Sequence, residues 1–311
     1  MDGGTRGIKF QILKFSSMST LVCFGLGYSA ERYIGMFGDT FARIVGTVRG
    51  AERAAVLNGR LAGRLKALVF DGKTAAPELL HAIGEADAML VSIPQDEHGD
   101  PLLRTCSNAL AHAPHIRAIV YLSTVGVYGD RAGAWVDETM QPEPDSARGS
   151  GRLSAEHGWQ DFGKRRGIAV AVLRLAGIYG PGRNALTQVA RGDARRIVKP
   201  GQIFNRIHVD DIAQAIDAAL ARRASGVFNV ADDEPSPPGE PLAFAAQLLG
   251  VSPPPEITYE QAEAAMSPLA KSFWQECRRV NNDKLKRELG VTLRYPTYRE
   301  GLRALFELAK T

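Results

Sequence analysis

Short, almost wholly apolar stretches alternate with longer amphipathic ones along the first half of the chain. Thr20 to Phe24, Phe41 to Val48, Leu65 to Phe70, Ala88 to Ile93 and Ala118 to Ser123 read as strands. Between them, Ser29 to Phe37, a polar stretch after Val48, Pro77 to Ile83 and Pro101 to Ala111 read as helices, two of them with proline in the first turn. Strands that are apolar at nearly every position, each followed by a helix, predict a parallel sheet covered on both faces. The expected architecture is α/β and doubly wound, with ligands at the carboxyl ends of the strands.

The second half is less regular. A Gly-, Pro- and acid-rich loop over 129–147 leads to a helix near Ser146 to Arg166 and a strand from Ile168 to Leu175. Helices then follow near Ala185 to Gly192 and Asp211 to Arg222, with a short strand Val227 to Val230 and two or three terminal helices. This predicts a smaller mixed C-terminal lobe over 181–311, with some segments returning to the sheet, after a first unit over 18–180. Residues 1–17 read as a leader or an over-called start, because Met18 stands immediately before the first strand.

Where the first strand ends, Gly25-Leu-Gly27-Tyr-Ser-Ala30 opens the first helix. Strand, glycine turn, helix is the order of a dinucleotide fingerprint: one glycine turns the chain, the next removes a side chain from the path of a pyrophosphate, and a small third residue lets helix and strand close. This makes the first unit a dinucleotide-binding Rossmann domain, with Gly25, Leu26, Gly27, Tyr28 and Ser29 as cofactor-binding candidates. Strand 2 ends on Gly46-Thr-Val-Arg49, without the carboxylate that takes a ribose 2′-hydroxyl. Arg49 suits a 2′-phosphate, so NADP is the expected cofactor and NAD the alternative. Asp71, after strand 3, is placed either to meet the adenine or to form an Asp-Gly turn.

Composition narrows the partners. The chain has 311 residues, 45% hydrophobic and 23% charged, enough for a full core, and a net charge of only +4. Its densest basic stretch, Arg191 to Lys199, has no interleaved aromatic ladder and reads as a solvated face, not a nucleic-acid footprint. No run approaches the ~18 apolar residues of a membrane span. Cys23, Cys106 and Cys277 lack metal-ligand or redox spacing and read as apolar fillers in a reducing, cytoplasmic compartment, and no metal site is expected.

From Thr20 onward the chain resembles the extended short-chain dehydrogenase/reductases, the NAD-dependent epimerase/dehydratase family. The resemblance is carried by Leu122-Ser-Thr-Val-Gly-Val-Tyr-Gly129, Arg174-Leu-Ala-Gly-Ile-Tyr-Gly-Pro-Gly-Arg183, Ile207-His-Val-Asp-Asp211 and Phe228-Asn-Val-Ala-Asp-Asp233. It implies that Ser123 and Thr124 orient a substrate hydroxyl and that a Tyr-x-x-x-Lys pair follows. That pair is missing: the matching helix reads Ala147-Arg-Gly-Ser-Gly-Arg-Leu-Ser-Ala-Glu156, with Arg148 and Arg152 in the two positions. Such members are called atypical, and the loop Ser92 to Pro101 departs from the sugar-epimerase pattern as well.

Arginine stays protonated near pH 7 and cannot shuttle the proton. Tyr128 is the substitute acid/base, its pKa lowered by Arg148 or Arg152. Arg152 remains a fixed cation for the cofactor ribose or a phosphate, with Glu156 one turn on as its structural partner. Asp210 or Asp211 is expected to cap the following helix. Arg183, Asn205, Arg206 and His208 are candidate contacts for a small-molecule substrate, possibly a nucleotide sugar. The sequence therefore supports an NAD(P)-dependent oxidoreductase or epimerase/dehydratase-like enzyme, monomeric or homodimeric. Its alternative is a non-catalytic NADP(H)-binding sensor that kept the fold and lost the base.

Overall fold

Alternation along the chain becomes one sheet in space. The computed structural model describes residues 19–60, 63 and 65–310, so the leader over 1–17 lies outside the described residues. Strands β1 (Thr20–Phe24), β2 (Arg43–Val48), β3 (Leu65–Val69), β4 (Ala88–Val91), β5 (Ala118–Thr124), β6 (Ala169–Leu175) and β7 (Gly226–Val230) form a seven-stranded sheet in the order β7-β6-β5-β4-β1-β2-β3. Every pairing is parallel. This is the Rossmann-like doubly wound fold, and all seven strands deliver their carboxyl ends to one edge.

The period-two geometry of a strand explains why the sequence is apolar throughout. Leu21, Cys23, Leu90, Val120 and Leu173 point into one core with Ala30, Tyr33, Ile212 and Ile216 from helices Tyr28–Phe37 and Val209–Ala221. Their neighbours Val22, Phe24, Met89, Tyr121 and Val172 point into the opposite core with Leu79, Ile83, Trp159 and Phe162. Burying each large aliphatic side chain contributes about 1.5–3 kcal/mol, so the two layers together set the register.

After β6 the chain leaves the sheet. Gly177–Tyr179 pairs with Arg206–His208, and Arg196–Val198 with Glu256–Thr258. A third apolar cluster, including Leu186, Phe244, Tyr298 and Leu302, joins helices Ala185–Ala190, Glu240–Leu249 and Tyr298–Leu308. The helix Val209–Ala221 and β7 return to the sheet between these pieces.

Two local expectations fail. The predicted helix Pro101 to Ala111 breaks at Cys106 into Pro101–Thr105 and Ser107–Ala111, where Cys106 adopts φ −108°, ψ 15°. The helix expected from Asp211 starts at Val209 and is capped by neither aspartate: His208 Nδ1 accepts from the Asp210 N–H at 3.1 Å. Asp210 instead forms a fork with Arg32 (2.6 and 3.0 Å), tying this helix to the first one. Asp211 accepts from the backbone N–H of Arg294 (2.6 Å) and Tyr295 (3.2 Å).

Asp100 is a small buried node whose removal is informative. One oxygen accepts from the N–H groups of Leu102 and Leu103 at 2.9 and 3.0 Å, capping the short helix, and the other from Trp159 Nε1 at 3.0 Å. Trp159 is fully buried. Asp100→Ala loses the cap and strands the indole N–H, an expected cost of about 2–3 kcal/mol measured by urea denaturation. A cost below about 1 kcal/mol would show that solvent reaches these groups.

Candidate functional site

The edge at the carboxyl ends of the strands is built first by the glycine turn after β1. Gly25 has φ +96°, a left-handed value suited to glycine, and a Cβ there would lie 2.8 Å from Ser92 Oγ. Ser92, past the end of β4, donates to the carbonyl of Gly25 at 2.7 Å and holds the turn from below. The N–H of Gly25 donates to Thr47 Oγ1 (3.0 Å), that of Leu26 to the Thr47 carbonyl (2.8 Å), and that of Gly27 to the Gly25 carbonyl (2.9 Å). Leu26 turns its side chain into the core above Gly46, where a Cβ would meet it at 2.5 Å.

These facts correct the expectation for Leu26, because both its N–H and its side chain are committed to the fold. The groups left facing outward lie one step later. Helix Tyr28–Phe37 has Gly27 as its N-cap with no side chain capping it, and the first helical hydrogen bond runs from Glu31 N–H to the Gly27 carbonyl. The N–H groups of Tyr28, Ser29 and Ala30 therefore have no partner within the helix. Gly27 is exposed, and nothing lies within 4 Å of the position its Cβ would take. An uncapped helix start with space above it fits a dinucleotide pyrophosphate. Arg49 follows β2 on the same edge and is exposed. Asp71 accepts from the backbone of Lys73 (2.8 Å) and Thr74 (3.2 Å), bonds that hold its carboxyl below the usual range, so it is the turn former.

Past the end of β5 lies a cavity of about 810 Å³ between the end of the sheet and the lobe, lined by no residue of the glycine turn. Ser123, Thr124, Arg148 and Arg152 form its sheet side, and Tyr179, Arg183, Arg206, Phe204 and Trp274 are on its lobe side. The Tyr28 hydroxyl donates to the Pro181 carbonyl at 3.0 Å and links the two regions. Thr124 Oγ1 accepts from the Gly126 N–H at 3.1 Å, which leaves its own proton available.

Several predicted residues have other occupations. Ser123 donates to Glu156, and Glu156 pairs with Arg174 at 2.7–3.2 Å instead of with Arg152. Arg152 Nη1 donates to the Tyr121 hydroxyl (2.9 Å) and the Leu122 carbonyl (3.3 Å). Tyr128 is fully buried, donates to Asn229 Oδ1 at 2.8 Å and lies under the Arg174 guanidinium at 4.7 Å. Burial raises its pKa, so the lowered value expected from Arg148 or Arg152 is wrong. Asn205 lines the cavity, yet its amide bridges the Arg278 carbonyl (2.9 Å) and the Val280 N–H (2.8 Å).

His208 does not line the cavity: it is buried between Tyr179 and Tyr295, with ring centroids 5.1 and 4.1 Å away. Desolvation lowers its pKa to about 4 and keeps it neutral. The stretch Arg191 to Lys199 is more than a solvated face: Arg195 and Ile197 line the cavity, and Lys199 donates to the Trp274 carbonyl. Arg278, which the sequence reading passed over, also lines it and pairs with Glu276 at 2.6 Å. No local motif marks Arg278, since it reaches the site through tertiary packing of a segment near the end of the chain.

Residues 101–231 match the model of the NAD dependent epimerase/dehydratase family. Protein YeeZ of Escherichia coli K12 is 31% identical over 187 residues, 56% of this chain and 64% of that protein, so under two thirds of this curated relative is matched. A solved protein of unknown function from Silicibacter pomeroyi is 42% identical, covers 94% of this chain and 100% of its own, and superposes with a TM-score of 0.82. MoeE5 in complex with UDP-glucose and NAD is 19% identical, covers 94% and 98%, and shares the fold with a TM-score of 0.71. Among the described residues, no helix is long and apolar enough to cross a membrane.

Proposed function

We propose, because residues 101–231 match the NAD dependent epimerase/dehydratase family model, that the chain is an NAD(P)-dependent oxidoreductase or epimerase/dehydratase-like enzyme acting on an anionic small molecule of the nucleotide-sugar type. One observation carries this reading. The uncapped start of helix Tyr28–Phe37 and the arginine-lined cavity open on the same edge of the sheet, joined through Tyr28 and Pro181. Binding of UDP-glucose and NAD by a protein of the same fold supports it.

A bound dinucleotide would supply the hydride acceptor or donor. The first-turn N–H groups of Tyr28, Ser29 and Ala30 take its pyrophosphate, and Arg49 takes a 2′-phosphate. Thr124 offers a hydroxyl proton to a substrate oxygen, and Ser123 acts one step behind, fixing Glu156. Arg183 and Arg206 face the substrate's anionic part. The three cysteines, none of them in a disulfide, suit a cytoplasmic protein, and we take the working unit to be a monomer or homodimer.

The cofactor choice is tested by calorimetric titration. NADPH is expected to bind at least about 10-fold more tightly than NADH, and Arg49→Ala to remove most of that preference, since a fork on a phosphate contributes about 1.5–3 kcal/mol. Tighter NADH binding would reassign the cofactor to NAD.

A second reading, a non-catalytic NADP(H) sensor, is favoured by what the cavity wall lacks. Its ionisable groups are six arginines, Glu276 paired to Arg278, and Tyr179 and Tyr298, both raised by burial. None is a proton shuttle at neutral pH. NADPH consumption with any of a panel of nucleotide sugars excludes the sensor, and tight binding without turnover across the panel excludes the enzyme.

A further inference from the structure

Arg148, Arg152, Arg183, Arg195, Arg206 and Arg278 all line the cavity, against a single carboxylate, Glu276. Glu276 is taken by Arg278 at 2.6 Å. Among the described residues, Arg148, Arg152, Arg183, Arg195 and Arg206 form no ion pair with a carboxylate of the cavity wall. The five divide by position. Arg183, Arg195 and Arg206 come from the lobe, whereas Arg148 and Arg152 come from the first two turns of helix Ala147–Arg166, beside Ser123 and Thr124.

A diphosphate carries about two charges and sits at one end of an elongated ligand, which matches the lobe group. Arg148 and Arg152, on the sheet side, are paired with no carboxylate of the cavity wall. We propose that Arg148 and Arg152 grip a carboxylate next to the reacting carbon of the substrate, so that the substrate is a uronate-type nucleotide sugar with an anionic group at each end. This rests on the nucleotide-sugar reading above.

The geometry suits that task. Positions 148 and 152 lie on one helix face. Arg152 is pre-oriented: Nη1 is held by the Tyr121 hydroxyl and the Leu122 carbonyl, and its guanidinium lies 5.6 Å from the Tyr121 ring centroid. Among the described residues its Nε and Nη2 donate to no partner, and they form a planar fork. Gln95, from the loop after β4, donates to the Arg148 carbonyl at 2.8 Å and packs against Gly151, fixing the turn that carries both side chains. A planar guanidinium fork matches a planar carboxylate in two parallel bonds, and a neutral hydroxymethyl group offers no such match.

The test is calorimetric titration of the NADPH-loaded full chain with UDP-glucuronate and, separately, with UDP-glucose. The uronate is expected to bind at least about 10-fold more tightly. In the double variant Arg148→Met, Arg152→Met, titrated at NADPH concentrations that saturate it, the two sugars should bind alike. Equal affinity of the unmodified protein for both sugars overturns the carboxylate grip and leaves the nucleotide-sugar reading standing. Binding of neither removes that reading, and the grip with it.

Discussion

Glu156→Ala is expected to cost about 3–5 kcal/mol, a third or more of the stability of an ordinary domain. The carboxylate is 1% exposed and the Arg174 guanidinium it faces is 4% exposed. Arg174 donates to it through Nε and Nη2, and Ser123 adds a hydroxyl. The guanidinium also covers the Tyr128 ring, whose hydroxyl continues to Asn229 on β7. Deleting the carboxylate leaves a buried cation with no counter-charge, and the penalty is desolvation, not lost contact. The double variant Glu156→Met, Arg174→Met separates these terms, because an apolar pair of similar volume removes the stranded charge. Its urea midpoint is expected to recover most of the loss. A double variant as unstable as Glu156→Ala would show that the pair also sets the register of helix Ala147–Arg166 on β5 and β6.

This network shows where sequence reading succeeds and where it stops. β1 and β4 are legible because every position is buried and every one but Thr20 is apolar, so no tertiary information is needed to see them. The Arg148 and Arg152 replacements are legible because the helix and its loop lie in a recognisable order. Glu156 is different. Helical spacing makes Arg152 its natural partner at i−4, yet the carboxylate turns inward to Arg174 on the adjacent strand, 18 residues along the chain. Arg152 turns toward Tyr121 on β5. Spacing identifies residues that share a helix face, and packing decides which way each one reaches. The same limit hid Arg195 and Arg278, whose roles in the cavity wall depend on how the lobe folds back on the sheet.

Gly27→Asp is expected to move stability and cofactor affinity in opposite directions. Gly27 has φ −108°, ψ −171°, an extended conformation open to any residue, and the space at its Cβ is empty. An aspartate there is a favourable N-cap for helix Tyr28–Phe37, accepting from the N–H groups that the glycine leaves uncapped. That gain of about 1 kcal/mol raises the melting temperature of the free protein by about 2 °C. The same carboxylate then sits where a pyrophosphate would bind and repels it, so NADPH affinity falls at least about 100-fold and the stabilisation by saturating NADPH disappears. Gly27→Ala separates bulk from charge: it adds volume without a cap or a negative group, and it loses less affinity with no gain in stability. If Gly27→Asp binds NADPH as the unmodified protein does, the dinucleotide does not lie on this helix start, and the reading of the whole edge as a cofactor site falls with it.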